Sequence, residues 1–253
     1  MPTLLVVKIC LVLGAPFVGS FLAVLMDRLA RGEDVVSKRS ACRSCAAVLG
    51  PRDLVPVVSF ALHKGRCRAC AAPIPAWLLY SELLATGGAL FAAIAGADVI
   101  SVLVYALFLW LLIALAGADL LWMRLPDALT LSLAITGFGL ALLPGGVGAS
   151  GALLGAVLGA GSFALLRAIY MQVRGVEGLG LGDIKLMVGL GAFAGAYDLA
   201  LLVLIAALGA LGIAAIQSRA DKAALSARRP LPFGAALCAA AALIWVARVS
   251  GTL

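Results

Sequence analysis

Long apolar runs constrain this chain more than any other feature. They occupy residues 4–26, 77–96, 100–118, 128–143, 151–169, 184–216 and 232–249. A helix rises about 1.5 Å per residue, so about 20 apolar residues cross the ~30 Å hydrocarbon core of a bilayer. The 184–216 run is too long for one span and is interrupted by Gly195-Ala196-Tyr197-Asp198, which predicts a hairpin of two helices, the first of them short. The runs together predict an all-α polytopic membrane protein of about eight transmembrane helices, since a segment in lipid must satisfy its own backbone polar groups. Composition agrees. Of 253 residues, 64% are hydrophobic and 12% charged, against about 25% charged in soluble domains. A soluble enzyme, a disordered chain and a collagen-like fibre are thereby excluded. The first run is too long and uniform for a cleaved signal peptide and reads as a span.

The basic residues set the expected orientation. Nine of the nineteen Lys and Arg lie between the first two runs: Arg28, Arg31, Lys38, Arg39, Arg43, Arg52, Lys64, Arg66 and Arg68. Later basic positions fall in alternate loops, at Arg124, at Arg167 and Arg174, and at Arg219, Lys222, Arg228 and Arg229. The intervening connections carry no Lys or Arg. The positive-inside rule therefore makes the basic face cytoplasmic, with both termini outside. Lys8 and Arg248 lie against this trend and are expected to snorkel to the interface. A net charge of +7 is accounted for by this asymmetry, without nucleic acid as a partner.

The large basic loop holds Cys42-Arg-Ser-Cys45 and Cys67-Arg-Ala-Cys70. Two CxxC pairs at that spacing suit one tetrahedral zinc ion, each pair forming a knuckle. A disulfide is disfavoured on a reducing cytoplasmic face. Four thiolates leave no open coordination position, so the metal is expected to be structural. His63 reads as an ordinary loop histidine, and Cys10 and Cys238, inside apolar runs, as small apolar residues. The expected organisation is a first transmembrane helix (1–26), a cytoplasmic four-cysteine zinc domain (27–76) and a seven-helix membrane core (77–253). The Gly151–Gly155–Gly159 spacing is that of a close helix contact.

Two acids stand at the predicted cytoplasmic ends of apolar helices. Asp119 closes the third run. Asp183 opens the sixth, within Gly178-Leu-Gly180-Leu-Gly182-Asp183-Ile-Lys185. Helix capping and snorkelling explain such acids without chemistry, and Asp127, after Pro126, is read as a cap for the fourth span. Alternating glycines, however, let backbone approach a ligand closely, and the spacing is not that of a phosphate loop. Two carboxylates facing one another can share a proton and perform acid–base hydrolysis. No Ser–His pairing and no HExxH competes.

At these residues the chain resembles the type IV prepilin leader peptidase family, membrane aspartic peptidases of the GxGD type. The resemblance rests on Gly19-Ser20-Phe21-Leu22, the two CxxC pairs with Gly65-Arg66 before the second, Pro73-Ile74, Glu82, Asp119 with Leu125-Pro126-Asp127, Gly180-Leu-Gly182-Asp183-Ile-Lys185, and Pro232-Phe233-Gly234. It implies Asp119 and Asp183 as the catalytic pair, with Gly180, Gly182, Lys185 and Asp127 in support. It also implies structural zinc on Cys42, Cys45, Cys67 and Cys70. The implied activity is cleavage of a short basic leader from prepilins or pseudopilins at the cytoplasmic face of the bacterial inner membrane. Membrane lipid is then a second partner. Many members also methylate the new N-terminus with S-adenosylmethionine. Ala23, where the family often has Asn, and Trp77-Leu78-Leu79, where it often has Arg-Tyr-Pro, depart from the pattern in the N-terminal half, which the family associates with methyl transfer. Acidic Glu33, Asp34 and Asp53 are candidate contacts for a basic leader. A transporter or ion-binding bundle and a non-catalytic scaffold of a secretion or pilus apparatus are the competing readings. A transport site would favour the bilayer midplane, whereas both acids lie at helix ends.

Overall fold

The computed structural model describes residues 2–176, 178–220 and 231–252, the side chains of 217–220 excepted. Lys222, Arg228, Arg229 and the side chain of Arg219, which mark the last basic loop in the sequence, lie outside the described residues. The long elements are α1 (Pro2–Arg31), α3 (Ala76–Ala95), α4 (Val99–Trp122), α5 (Asp127–Ala141), α6 (Gly148–Arg174), α7 (Leu181–Ala220) and α8 (Phe233–Val249), with a short α2 (Val58–Leu62) in the cysteine loop. Among the described residues the only extended pairings are two isolated antiparallel bridges in that loop. Five helices are long and apolar enough to cross a membrane: α1, α3, α4, α6, and α7 as far as Ile216. The apolar helices α5 and α8 have 15 and 17 residues.

Helix α7 is two helices joined at Gly195, whose backbone is left-handed and extended (φ 69°, ψ −177°). A Cβ built on Gly159 would lie 3.0 Å from the Met187 carbonyl oxygen and 3.4 Å from Leu199 Cδ1. Along a straight helix residues 187 and 199 would be about 18 Å apart. The chain therefore folds back at Gly195, and among the described residues the apolar helical segments number eight. Arg248 explains how the turn is held. It was expected at the interface, yet its guanidinium donates to the carbonyls of Phe193 (2.8 Å) and Ala194 (2.7 Å) and to Asp198 Oδ2 (2.6 and 3.0 Å). It also lies 4.8 Å above the Phe193 ring. The last carbonyls of a helix lack partners of their own, and a cation there is favoured by the helix dipole.

The chain forms two compact units, Met1–Ala114 and Leu115–Leu253. In the first, α1 packs on α3 at Gly19, where a Cβ would meet Glu82 Cα at 2.5 Å and the Ser81 carbonyl at 2.6 Å. The facing positions on α3 are small and buried, including Ala85, Ala89 and Ala92, and Trp110 of α4 donates its indole N–H to the Ala85 carbonyl at 2.9 Å. In the second unit the first half of α7 lies between α5 and α6. Gly189 meets the backbone of Leu133 and Ala134, and Gly191 that of Gly155 and Ala156. Without side chains at these points the backbones approach closely, as membrane helices require when no hydrophobic force drives them together. Gly155 and Gly159 face α7 as expected, whereas a Cβ on Gly151 would meet only Val147, just ahead of α6.

Replacing Gly155 by Leu is expected to lower the thermal unfolding midpoint in detergent markedly, because overpacking here costs about 1–3 kcal/mol or more. Gly161→Leu on the same helix faces open space and should leave the midpoint near that of the parent protein.

Candidate active site and metal centre

Asp119 lies one turn before the end of α4 and is 6% exposed. Its Oδ2 accepts the N–H of Ala235 at 2.8 Å, and the N–H of Gly234 also donates to the carboxylate. These are donors from the first turn of α8, which have no acceptor within their own helix. The residue before α8 is Pro232, with no side-chain cap, so Asp119 performs the capping from another helix. Gly234 eases the approach, since a Cβ there would lie 3.1 Å from Asp119 Oδ2, tighter than ordinary contact.

Asp183 is the third residue of α7, and its carboxylate accepts the N–H of Gly180 just before the helix. This is the backward half of a capping box. Asp119 and Asp183 are close enough to repel one another, and buried Cys238 of α8 senses both. Leu125, on the loop between α4 and α5, touches both Gly182 and Gly234. Two adjacent carboxylates of this kind can hold one proton between them, so that one accepts a proton while the other donates.

Asp127 does not cap α5. It is the first residue of that helix and has no capping hydrogen bond, and it pairs instead with Lys185 Nζ at 2.6 Å. Both members are largely exposed, which limits the pair to a fraction of a kcal/mol in water, about 0–1. Arg167 donates to the Leu179 carbonyl and so steadies the glycine-rich approach to α7.

The four cysteines converge, with all Sγ atoms within 4.8 Å of one another and Cys42 to Cys70 at 3.9 Å. A tetrahedral ion with ligands at about 2.3 Å would space its sulfurs about 3.8 Å apart, so the cluster can hold a metal ion. The local chemistry fits. Backbone N–H groups of Cys45 and Ser44 hold the Cys42 thiol down at about 6. Cys70 is drawn down by the Ala72 N–H, but the Cys45, Cys67 and Cys42 sulfurs and desolvation overcome this and push it up to about 12. Four sulfurs at this distance cannot all ionise without a cation among them. His63 stands outside the cluster, 3.9 Å from Asp53.

The two knuckles are one motif used twice. The N–H of Cys42 donates to the Ala47 carbonyl and that of Ala46 to Cys42; the N–H of Cys67 donates to Ala72 and that of Ala71 to Cys67. Ala46 and Ala71 share a left-handed φ, 57° and 56°. The sequence carries the signal, Cys-Arg-x-Cys-Ala-Ala at 42–47 and 67–72, which reading for long repeats passes over. Each knuckle presents its arginine to a carboxylate. Arg43 pairs with buried Asp27 at 2.7 Å, and Arg68 lies 3.9 Å from Asp53. Arg43 also lies 5.2 Å above Trp77, at the start of α3. Arg28 binds the carbonyls of Asp34, Val35, Lys38 and Arg39 and fixes the turn after α1. Glu33 is held below the usual carboxylate range by Lys38, and Asp34 by Ser37, so these acids are already engaged within the loop.

One carboxylate from the last turn of α4 and one from the first turn of α7, beside glycine backbone in a chain with five membrane-length helices and a four-cysteine loop, place the protein among polytopic membrane proteins with a paired-acid site. The comparisons narrow this. Residues 12–96 match the Bacterial Peptidase A24 N-terminal domain and residues 106–215 the Type IV leader peptidase family. The chain is 36% identical over 214 residues to a prepilin leader peptidase/N-methyltransferase of Aeromonas hydrophila, covering 82% of this chain and 71% of that one. It is 33% identical over 219 residues to a protein of the same name from Burkholderia pseudomallei (85% and 69%) and 34% over 231 residues to one from Neisseria gonorrhoeae (89% and 77%). No solved structure matches. The chain belongs to the type IV leader peptidase family.

Arg43→Ala is expected to leave the metal in place, since it touches no sulfur ligand, while protease cleavage within the 27–76 loop becomes faster. Metal analysis and limited proteolysis of the same sample check both parts.

Proposed function

We propose that this protein is a prepilin peptidase of the bacterial inner membrane. It cleaves the leader from type IV prepilins or pseudopilins, with Asp119 and Asp183 as the catalytic pair. The observation that carries the reading is the meeting of a carboxylate at the end of α4 with one at the start of α7, beside glycine backbone, in a chain of this family. One carboxylate takes a proton from water as its oxygen attacks the scissile carbonyl carbon. The other donates a proton to the carbonyl oxygen. The C–N bond of the tetrahedral intermediate then breaks: the amine leaves with the proton held by the pair, a hydroxyl proton of the intermediate passes to the pair as the carboxyl group forms, and the dyad returns to one shared proton. Gly180 and Gly182 keep side chains away from the peptide, and the Lys185–Asp127 pair ties the starts of α5 and α7 together at the rim.

The four-cysteine loop would hold zinc, bound by Cys42, Cys45, Cys67 and Cys70 as a closed structural shell that takes no part in hydrolysis. The distribution of Lys and Arg supports a cytoplasmic loop and a cytoplasmic acid pair. The acids of the loop being engaged by its own cations, its remaining positive charge suits anionic lipid head groups. Methyl transfer, the second activity in the relatives' names, would draw its methyl group from S-adenosylmethionine and falls to the N-terminal half. There the buried Asp27 Oδ1, without a hydrogen-bond partner, is an acceptor that a hydroxyl-bearing cofactor fits. No observation favours the transporter or the scaffold.

Asp119→Asn and Asp183→Asn should each reduce cleavage of a model prepilin by at least about a hundredfold, read by mass spectrometry on membranes carrying the protein. Asn keeps one acceptor oxygen at 119, so α8 stays capped and the variant should insert. Full cleavage by either variant removes that residue from the pair. A second expectation is one zinc ion per chain, absent from a variant carrying both Cys42→Ser and Cys67→Ser; metal-free protein of unchanged stability would refute the structural zinc.

A further inference from the structure

The backbone around the two carboxylates includes Gly180, Gly182 and Gly234, and Leu125 faces two of these glycines. A Cβ built on Gly182 would lie 3.0 Å from Leu125 Cβ and 3.2 Å from its Cδ1. A Cβ built on Gly234 would lie 3.1 Å from the same Cδ1 and 3.1 Å from Asp119 Oδ2. One methyl group therefore contacts the backbone beside each acid and flanks the Asp119 carboxylate. Leu125 is nonetheless only half-buried, so part of its surface stays open at the site. Its loop is set at both ends. Met123 is left-handed (φ 50°) and its N–H donates to the Asp119 carbonyl at 2.9 Å, while Pro126 begins α5.

We propose that Leu125 is a specificity-determining residue. Its side chain forms the apolar wall of the subsite for one of the two residues flanking the scissile bond, and its volume sets the largest side chain accepted there. The inference rests on the peptidase reading above. Pockets of this kind respond to a single methylene with about a 10–200-fold change in kcat/KM.

The test uses full-length protein in membranes and a model prepilin whose two residues flanking the scissile bond are varied, one at a time, through Gly, Ala, Val and Leu. Parent protein, Leu125→Ala and Leu125→Phe are compared by kcat/KM. At one of the two positions the ratio of large to small residues should rise at least about tenfold in Leu125→Ala and fall in Leu125→Phe, while the other position is unmoved. A merely structural leucine would lower all rates together and leave both ratios as in the parent; that result overturns the proposal. If Leu125→Ala fails to fold, Leu125→Val and Leu125→Met carry the same ratio test. A parent protein that cleaves no prepilin defeats the peptidase reading and this proposal with it. A parent protein that cleaves, with unchanged ratios in active variants, defeats this proposal alone.

Discussion

The second unit is organised around the hydrogen bonds from the start of α8 to Asp119. A helix that begins with proline in an apolar setting leaves its first N–H groups without a partner, and each such group costs about 1–3 kcal/mol by mutational measures. A buried carboxylate has the complementary need for donors. Each group satisfies the other, and Gly234 lets them meet. Asp183 is held by the same logic at the start of α7, through the N–H of Gly180. Both acids are therefore components of helix ends before they are anything else, and their separation inherits the stiffness of those helices rather than that of a loop.

The sequence was legible where one physical rule dominated. Apolar runs must become helices in lipid, and the runs are helical among the described residues, five of the helices being long and apolar enough to cross a membrane. Gly195 was readable as a break because a chain that cannot end in lipid must turn there. The cysteines were readable because thiolates at that spacing have few other uses. Arg248 was read only as a cation at the outer end of its helix; its partners, Asp198 and the carbonyls of Phe193 and Ala194, become visible only once the chain has folded back. Asp127 was misread for a similar reason. Its position after Pro126 suits a cap, yet Lys185 comes within reach only when α7 packs against α5. Leu125 was legible only as part of the Leu125-Pro126-Asp127 motif, and its place against two glycines distant in sequence becomes visible only in the fold.

The two departures from the family pattern in the N-terminal half acquire a physical context. Trp77 stands where an arginine is often found, and the guanidinium of Arg43 lies over its ring while pairing with Asp27. A cation is thus still present at the start of α3, supplied by the first cysteine knuckle instead of by the helix. Ala23 is almost fully buried in an α1 whose contact with α3 is made by small residues, so a small apolar side chain is compatible with that packing.

Hydrolysis needs water at the scissile bond, and the lengths of the helices bear on how it arrives. Asp119 comes from the end of the long α4, but the segments that start beside the acid pair are short: α5 has 15 residues and α8 has 17, while the first half of α7 ends at Gly195, a rise of about 21 Å against the ~30 Å of hydrocarbon. A helix shorter than the bilayer core leaves polar backbone at a depth where lipid cannot satisfy it, so it thins the bilayer locally or admits water. The long helices α4 and α6 have the length to span fully. On the proposed reading, shortness that would weaken an ordinary span is the property that would bring water and a membrane-embedded peptide to the same two carboxylates.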